Sequence, residues 1–405
     1  MAKSIIFCAD GTWNGPPADK STAVDGSDER DDSPPSTPTN VSKLFGNFAG
    51  SVTEETRGSP NEPEKIHVGS DKQVLQVAKY IHGVGDSQNK LARFFGGAFG
   101  MGVIARVVRG YTFISRNYTP GDAIYIAGFS RGAYTARALG GMIAKVGLLN
   151  PAIYDPADKD EAYGLGISAW RKYREQSLKD SNLLTKLANF FVDKALGGLA
   201  KPLPVNGLIP DVPIKAVAVW DTVGSLGIPL YAQNGRIDVF RFADNALSDK
   251  VEHGFHAMAI NEKRADFPVS KWDARSGVEQ VWMLGAHADV GGGYPADEST
   301  LSNIGLSWMM NKLGGVGAVF TNPLSYALDP DDLKRSLEFA FHTPWEKIPF
   351  KGLATRARQI EKTDVLHETV LKRLGADKKY ALPGFDGLTA DDLAKFNKDE
   401  ALYTA

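Results

Sequence analysis

The run Ala123-Ile-Tyr-Ile-Ala127, followed by Gly128-Phe-Ser-Arg-Gly132 and then by Ala133 to Val146, decides how this chain is read. A short apolar run bounded by glycine predicts a buried strand. The stretch after it, rich in small residues at its start, predicts a helix. Between them, Gly-x-Ser-x-Gly occupies a tight strand-to-helix turn, the setting in which a serine acts as a nucleophile. The physical requirement is narrow, because the hydroxyl must be thrust out of the sheet edge on a strained backbone. Glycines on either side remove Cβ atoms that would strike the neighbouring strand and helix. The helix behind then aims its positive end, and the Arg131 N–H, at an oxyanion forming on a substrate carbonyl. Ser130 is therefore the predicted nucleophile, and Arg131 supplies the first predicted oxyanion donor.

Outward from that unit, the pattern repeats. Ser4 to Ala9, Val74 to Ile81, Ile214 to Trp220 and Val278 to Leu284 each read as short buried strands. Helix-compatible stretches run over 91–117, 159–200 and 245–260. Strands alternating with longer helices predict a mostly parallel sheet covered on both faces. Residues 15–40 are rich in Pro, Ser and Asp and read as a solvated surface loop, with Asn40 able to cap the helix that follows. The expected organisation is a single domain over 1–405, with residues 150–205 as a helical cap insertion.

Composition narrows the function classes. Of 405 residues, 43% are hydrophobic and 23% charged, enough for a sizeable core. A formal net charge of -2 provides no broad field for nucleic acid, so no nucleic-acid partner is expected. The single cysteine, Cys8, has no partner for an internal disulfide and reads as a small core residue within a strand. The apolar run at the N-terminus is too short for a signal peptide, and no stretch has the length of a membrane span. The expected location is the cytoplasm of the producing cell, with any export by a route that reads no signal peptide.

A serine hydroxyl needs a base, and the base needs an orienting carboxylate; in α/β hydrolases the chain order is Ser, acid, His. His67 and His82 precede the serine. His253 and His256 fall in the stretch read as helical, and His342 and His367 in less patterned sequence. His287 follows a strand directly and enters the glycine-rich loop Gly285-Ala-His-Ala-Asp-Val-Gly-Gly-Gly-Tyr294, where a base belongs. His287 is preferred, with His367 as the alternative. Asp221 ends a buried strand at the predicted Ser130 edge and is the preferred acid. Asp289 competes, although its place two residues from His287 suits a turn role. A second oxyanion donor is expected from Gly11 or Thr12, with Gly83 as the alternative. The predicted fold class is α/β, α/β-hydrolase-like, and the chemistry requires no metal or other cofactor.

Other readings of the same residues are weaker. Phe7-Cys-Ala-Asp-Gly-Thr12 brushes against a phosphatase motif, but Cys8 stands where a nucleophilic, magnesium-binding aspartate is needed. His287 and Asp289 could belong to a metal site, yet no second His or Cys stands at ligand spacing. Gly291-Gly-Gly293 has no following Lys-Ser/Thr and is no phosphate-binding loop.

Five motifs in order carry a resemblance: Asp10-Gly-Thr-Trp-Asn14, Pro38-Thr-Asn-Val41, Gly128-Phe-Ser-Arg-Gly-Ala133, Val219-Trp-Asp-Thr-Val-Gly224 and the Gly285–Tyr294 loop. Together they resemble the uncharacterised α/β-hydrolase domain family that includes the first class of type VI secretion lipase effectors, which are phospholipases. The resemblance implies action on phospholipid esters with a triad at Ser130, Asp221 and His287. It also implies a lipid or ester substrate, peripheral membrane contact, and a secretion-system or immunity-protein partner. A non-lipid esterase or thioesterase, or a catalytically idle scaffold with an interaction role, is the alternative. For a lipid, Leu187, Phe190 and Phe191 on the apolar stripe of residues 183–199 are the candidate substrate contacts, the plainer reading being a stripe packed on the core. The run Phe94-Phe-Gly-Gly-Ala-Phe-Gly100 is a second candidate.

Overall fold

The computed structural model describes residues 2–11, 37–59, 61–83, 98–177, 198–223, 246–265, 267–343, 355–377, 380 and 396–403. In chain order the described strands are β1 (Ser4–Ala9), β2 (Ser51–Val52), β3 (Glu64–Val68), β4 (Val74–Ile81), β5 (Ala123–Phe129), β6 (Leu148–Leu149), β7 (Leu208–Ile209), β8 (Ile214–Trp220), β9 (Val251–Ala259), β10 (Val278–Met283), β11 (Val365–His367) and β12 (Asn397–Asp399). The described helices are α1 (Asn40–Asn47), α2 (Glu54–Arg57), α3 (Ala98–Asn117), α4 (Arg131–Val146), α5 (Lys159–Ser177), α6 (His287–Gly291), α7 (Thr300–Gly315), α8 (Asp332–Arg335) and α9 (Glu368–Ala376).

One large sheet has the order β12-β11-β10-β9-β8-β5-β1-β4-β3-β2. From β12 to β4 every pairing is parallel; β3 and β2 add an antiparallel edge. This is an α/β fold. Parallel strands covered on both faces read as continuous apolar runs, and β1 is one: Ile5, Phe7 and Ala9 face the layer of α3, α4 and α5, while Ile6 and Cys8 face the layer of α1 and α7. Cys8 is a buried core residue whose thiol burial pushes far up, consistent with a packing role. A third cluster, including Met258, Trp282 and Leu366, fills the space beyond β9 and β10.

Several expectations need correction. Residues 251–259 form strand β9, flanked in parallel by β8 and β10, and not a helix. Pairing on both sides overrides a local pattern compatible with either structure. The helix expected from 91 begins at Ala98 among the described residues, and 91–97 lie outside them, as does most of the 94–100 run. The stretch 159–200 holds α5 up to Ser177, residues 178–197 lie outside, and 198–199 form a turn. Helix α1 is capped by Thr39, whose hydroxyl accepts from Ser42 N–H at 3.2 Å; Asn40 is already helical. Thr39 and Asn40 are also buried, so the surface-loop reading of 15–40 fails at its last residues, while 15–36 lie outside those described.

Because β1, β5, β8, β9 and β10 run the same way, their C-terminal ends share one edge of the sheet. The chain leaves β1 to form β4 on one side and then β5 on the other. Such a reversal opens a crevice at the carboxyl ends of the strands, where ligands bind in open α/β sheets.

Candidate active site

Ser130 sits at that edge between β5 and α4 with φ +56° and ψ −120°, a backbone conformation that costs a non-glycine residue about 1–3 kcal/mol. Two contacts hold it there. Its N–H donates to Trp220 O at the end of β8 (3.1 Å), and its carbonyl accepts from Tyr134 N–H (3.2 Å). The flanking glycines are required by close approach. A Cβ on Gly128 would lie 2.3 Å from Gly132 O, and one on Gly132 would lie 2.0 Å from Ala9 O.

Asp221, directly after β8, is a second non-glycine residue with positive φ (+39°), and its side chain is fully buried. Its Oδ1 accepts from Ala259 N–H at the end of β9 (2.9 Å) and from Arg358 Nη1; its Oδ2 accepts from Arg358 Nη2 (3.0 Å). Oδ2 also stands 2.5 Å from His287 Nδ1. Burial raises the carboxyl pKa, but the Arg358 charge and the His287 contact outweigh it and hold the group far below the usual carboxylate range. Asp221 is therefore ionised and accepts only. Nδ1 of His287 must be the donor, which leaves Nε2 with its lone pair when the ring is neutral.

His287 is the first residue of α6, four positions past the end of β10. Its ring lies between Phe129, at 4.6 Å between centroids, and Phe267, edge-on at 5.1 Å. Phe129 precedes the serine, so the imidazole packs against the serine turn itself. Beneath it, His287 N–H donates to Glu262 Oε2 (3.2 Å), and Glu262 is gripped by Arg264 through Nε (2.9 Å) and Nη2 (2.8 Å). Burial pushes the Glu262 carboxyl up, but Arg264 more than offsets this and keeps it low.

The other sequence candidates have different partners. Asp289 accepts from Ala286 N–H (2.8 Å) and pairs with His342 Nδ1 (2.5 Å), so it closes its own turn as its spacing suggested. His342 also contacts Glu298 through Nε2 (3.0 Å) and stacks on Tyr294; its bond to Asp289 leads the causes that raise its pKa. His367 caps α9 by accepting from Thr369 N–H and is pushed down to about 4 by burial. His256 accepts from Thr222 N–H (3.1 Å) beside Asp221, and burial lowers it to about 3, so it is a neutral structural group.

Gly11 stands beside Ser130, with its ideal Cβ 3.4 Å from Ser130 Cβ, but its N–H is donated to Asp10 Oδ1 (2.6 Å). Asp10 is itself held by Thr39 (2.8 and 2.7 Å) and Tyr80 (2.5 Å); burial raises it to about 6 despite these bonds. Arg131 occupies the first position of α4. Thr12, Leu187, Phe190 and Phe191 lie outside the described residues. Sequence reasoning did not single out Arg358, Glu262 or Phe267. No motif surrounds them, and each is recruited by packing against a residue distant in the chain. Among the described residues no cluster of three His, Cys, Asp or Glu side chains is placed to hold a metal ion, and no helix is long and apolar enough to cross a membrane.

A mostly parallel α/β sheet whose strand ends carry a strained serine turn and a buried Asp–His pair is the arrangement this chain presents. The chain belongs to the family described as T6SS, phospholipase effector Tle1-like, catalytic domain, which matches residues 3–312. A curated relative, the uncharacterized protein YEL023C of Saccharomyces cerevisiae, is 26% identical over 265 residues, covering 65% of this chain and 32% of that protein. Among solved structures, an uncharacterized protein from Pseudomonas aeruginosa is similar with a TM-score of 0.42 and 18% identity, over 84% of this chain and 49% of that one. A Tle1 effector bound to the VgrG spike of the type VI secretion system is similar with a TM-score of 0.37 and 17% identity, over 73% of this chain and 52% of that one. The chain thus spans between about a third and a half of the length of these relatives.

Proposed function

We propose that this protein is a serine-dependent hydrolase of carboxylic esters, and that its substrates are glycerophospholipids. Ser130 Oγ attacks the ester carbonyl while His287 Nε2 accepts its proton. Asp221 holds the imidazolium formed. The Arg131 N–H, at the positive end of α4, and a strand-end amide at Gly11 or Thr12 receive the oxyanion. For Gly11 this requires its N–H to turn from Asp10 as negative charge develops on the substrate. The proton on Nε2 then passes to the leaving alcohol, and water enters by the reverse sequence to release the fatty acid and restore the serine.

The observation that carries this reading is the 2.5 Å contact between Asp221 Oδ2 and His287 Nδ1, made by an imidazole that packs on the residue preceding Ser130. Membership of a phospholipase effector family supports the lipid substrate. We read the chain as one domain with residues 150–205 as a helical insertion, of which α5 packs against α3 and α4. Membership of a type VI secretion effector family supports a secretion-system or immunity-protein partner.

The test is labelling by a fluorophosphonate probe, together with hydrolysis of phospholipid vesicles and of short p-nitrophenyl esters. Wild type is expected to label and to release fatty acid from vesicles, and S130A to do neither while melting at the wild-type temperature. An S130A variant that labels or hydrolyses like wild type ends the proposal. Turnover of p-nitrophenyl esters without vesicle hydrolysis would remove the lipid assignment and leave the esterase.

A further inference from the structure

A serine–histidine–carboxylate scheme has no need of an arginine on its acid, yet one is present. Arg358 lies in the segment 355–361, beyond residues 3–312 that the family matches. It is only 7% exposed, and its guanidinium makes four hydrogen bonds. Nη1 donates to Asp221 Oδ1 and to Ala259 O (2.6 Å); Nη2 donates to Asp221 Oδ2 (3.0 Å) and to Phe267 O (2.9 Å). The planar fork thus meets both oxygens of the carboxylate, the geometry in which arginine and lysine differ most. The same side chain ties down the end of β9 and the residue whose ring packs edge-on against His287.

We propose that Arg358 is a positioning residue for the hydrolytic reaction: it clamps Asp221 in the orientation that meets His287. This rests on the reading of Ser130, Asp221 and His287 given above. A carboxylate free to rotate would meet the imidazole in few of its orientations; held at both oxygens, it meets it in one.

The rate of fluorophosphonate labelling at one fixed pH, together with a thermal melt of each protein, tests this on wild type, R358Q, R358K and S130A. In R358Q both the charge and the fork are lost, and labelling is expected to fall about 100-fold. In R358K the charge is kept but the fork is lost, and labelling is expected to recover only to roughly tenfold below wild type. A wild-type rate in R358Q, or equal rates in the two variants, overturns the proposal. Should R358Q fail to fold by thermal melting, R358K decides alone. A reduced rate in an R358K protein that melts with wild type supports the clamp, whereas a wild-type rate overturns it. Absence of labelling in wild type, or labelling retained in S130A, refutes instead the catalytic reading on which the proposal stands, and the proposal falls with it.

Discussion

Replacing Asp221 by Asn probes the arrangement at its most constrained side chain. The carboxylate accepts from Ala259 N–H and Arg358 Nη1 at Oδ1, and from Arg358 Nη2 and His287 Nδ1 at Oδ2. An asparagine offers one oxygen and one NH2 in the same space. With its oxygen at the Oδ1 position, the NH2 faces both Arg358 Nη2 and His287 Nδ1. The imidazole must then accept at Nδ1 and carry its proton on Nε2, the tautomer that has no lone pair for Ser130. With its oxygen at the Oδ2 position, the NH2 confronts two donors, Ala259 N–H and Arg358 Nη1. In either case a buried guanidinium loses its counter-charge, and breaking a buried pair costs about 3–5 kcal/mol of stability. The wrong tautomer in a serine–histidine–carboxylate site lowers turnover by about 10⁴-fold, equivalent to about 5 kcal/mol of transition-state stabilisation. The assay combines the fluorophosphonate labelling rate with a thermal melt, the rate being read below the temperature at which the variant begins to unfold. A D221N protein that labels within about tenfold of wild type, or melts where wild type does, would refute the reasoning that this carboxylate orients the base and neutralises Arg358.

Two further outcomes follow from the same geometry. In G132A the new methyl carbon would lie 2.0 Å from Ala9 O and 2.6 Å from Asp10 O, both backbone atoms at the end of a central strand. The strand and helix must part, with an expected loss of about 1–3 kcal/mol by denaturant unfolding and a labelling rate roughly 100-fold lower as Ser130 moves; a wild-type melt and rate would show that the turn tolerates the group. His256 is held near 3 in the folded protein against about 6.5 when unfolded, so between those values the unfolded chain binds the extra proton and stability falls as pH falls. The full loss is on the order of 5 kcal/mol, and H256Q is expected to flatten the stability profile over that window relative to wild type. Asp10, raised to about 6, acts with the opposite sign, losing stability as pH rises between about 4 and 6, so the two proteins must be compared at each pH. Equal slopes in H256Q and wild type would refute this assignment.

The strand–serine–helix unit was legible because its signals are local. Glycines at 128 and 132 answer a steric demand within the turn, and the apolar run before it reports burial on both faces. For Asp221 and His287 the strand ends were legible too, since parallel strands deliver their C-terminal residues to one edge. Residues 251–259 were misread as helical because Val-Glu-His-Gly-Phe-His-Ala-Met-Ala satisfies either period; partners β8 and β10 settled it as a strand. The capping residue of α1 was misplaced by one, a distance at which local patterns lose resolution. His342 looked unremarkable in sequence, and its bond to Asp289 spans 53 positions.

From the amino-acid order alone came the α/β class, the strained strand-to-helix turn at Ser130 and the choice of Asp221 and His287 as partners. These rest on periodicity, glycine sterics and chain order, which are properties of neighbouring residues. Tertiary structure alone decided that Arg358, 137 positions from Asp221, would grip the same carboxylate, and that Glu262 and Phe267 would frame the imidazole. A buried charge must find its partner wherever the packed chain brings one. The energy of that pairing lies in desolvation and geometry, and neither leaves a local trace in sequence.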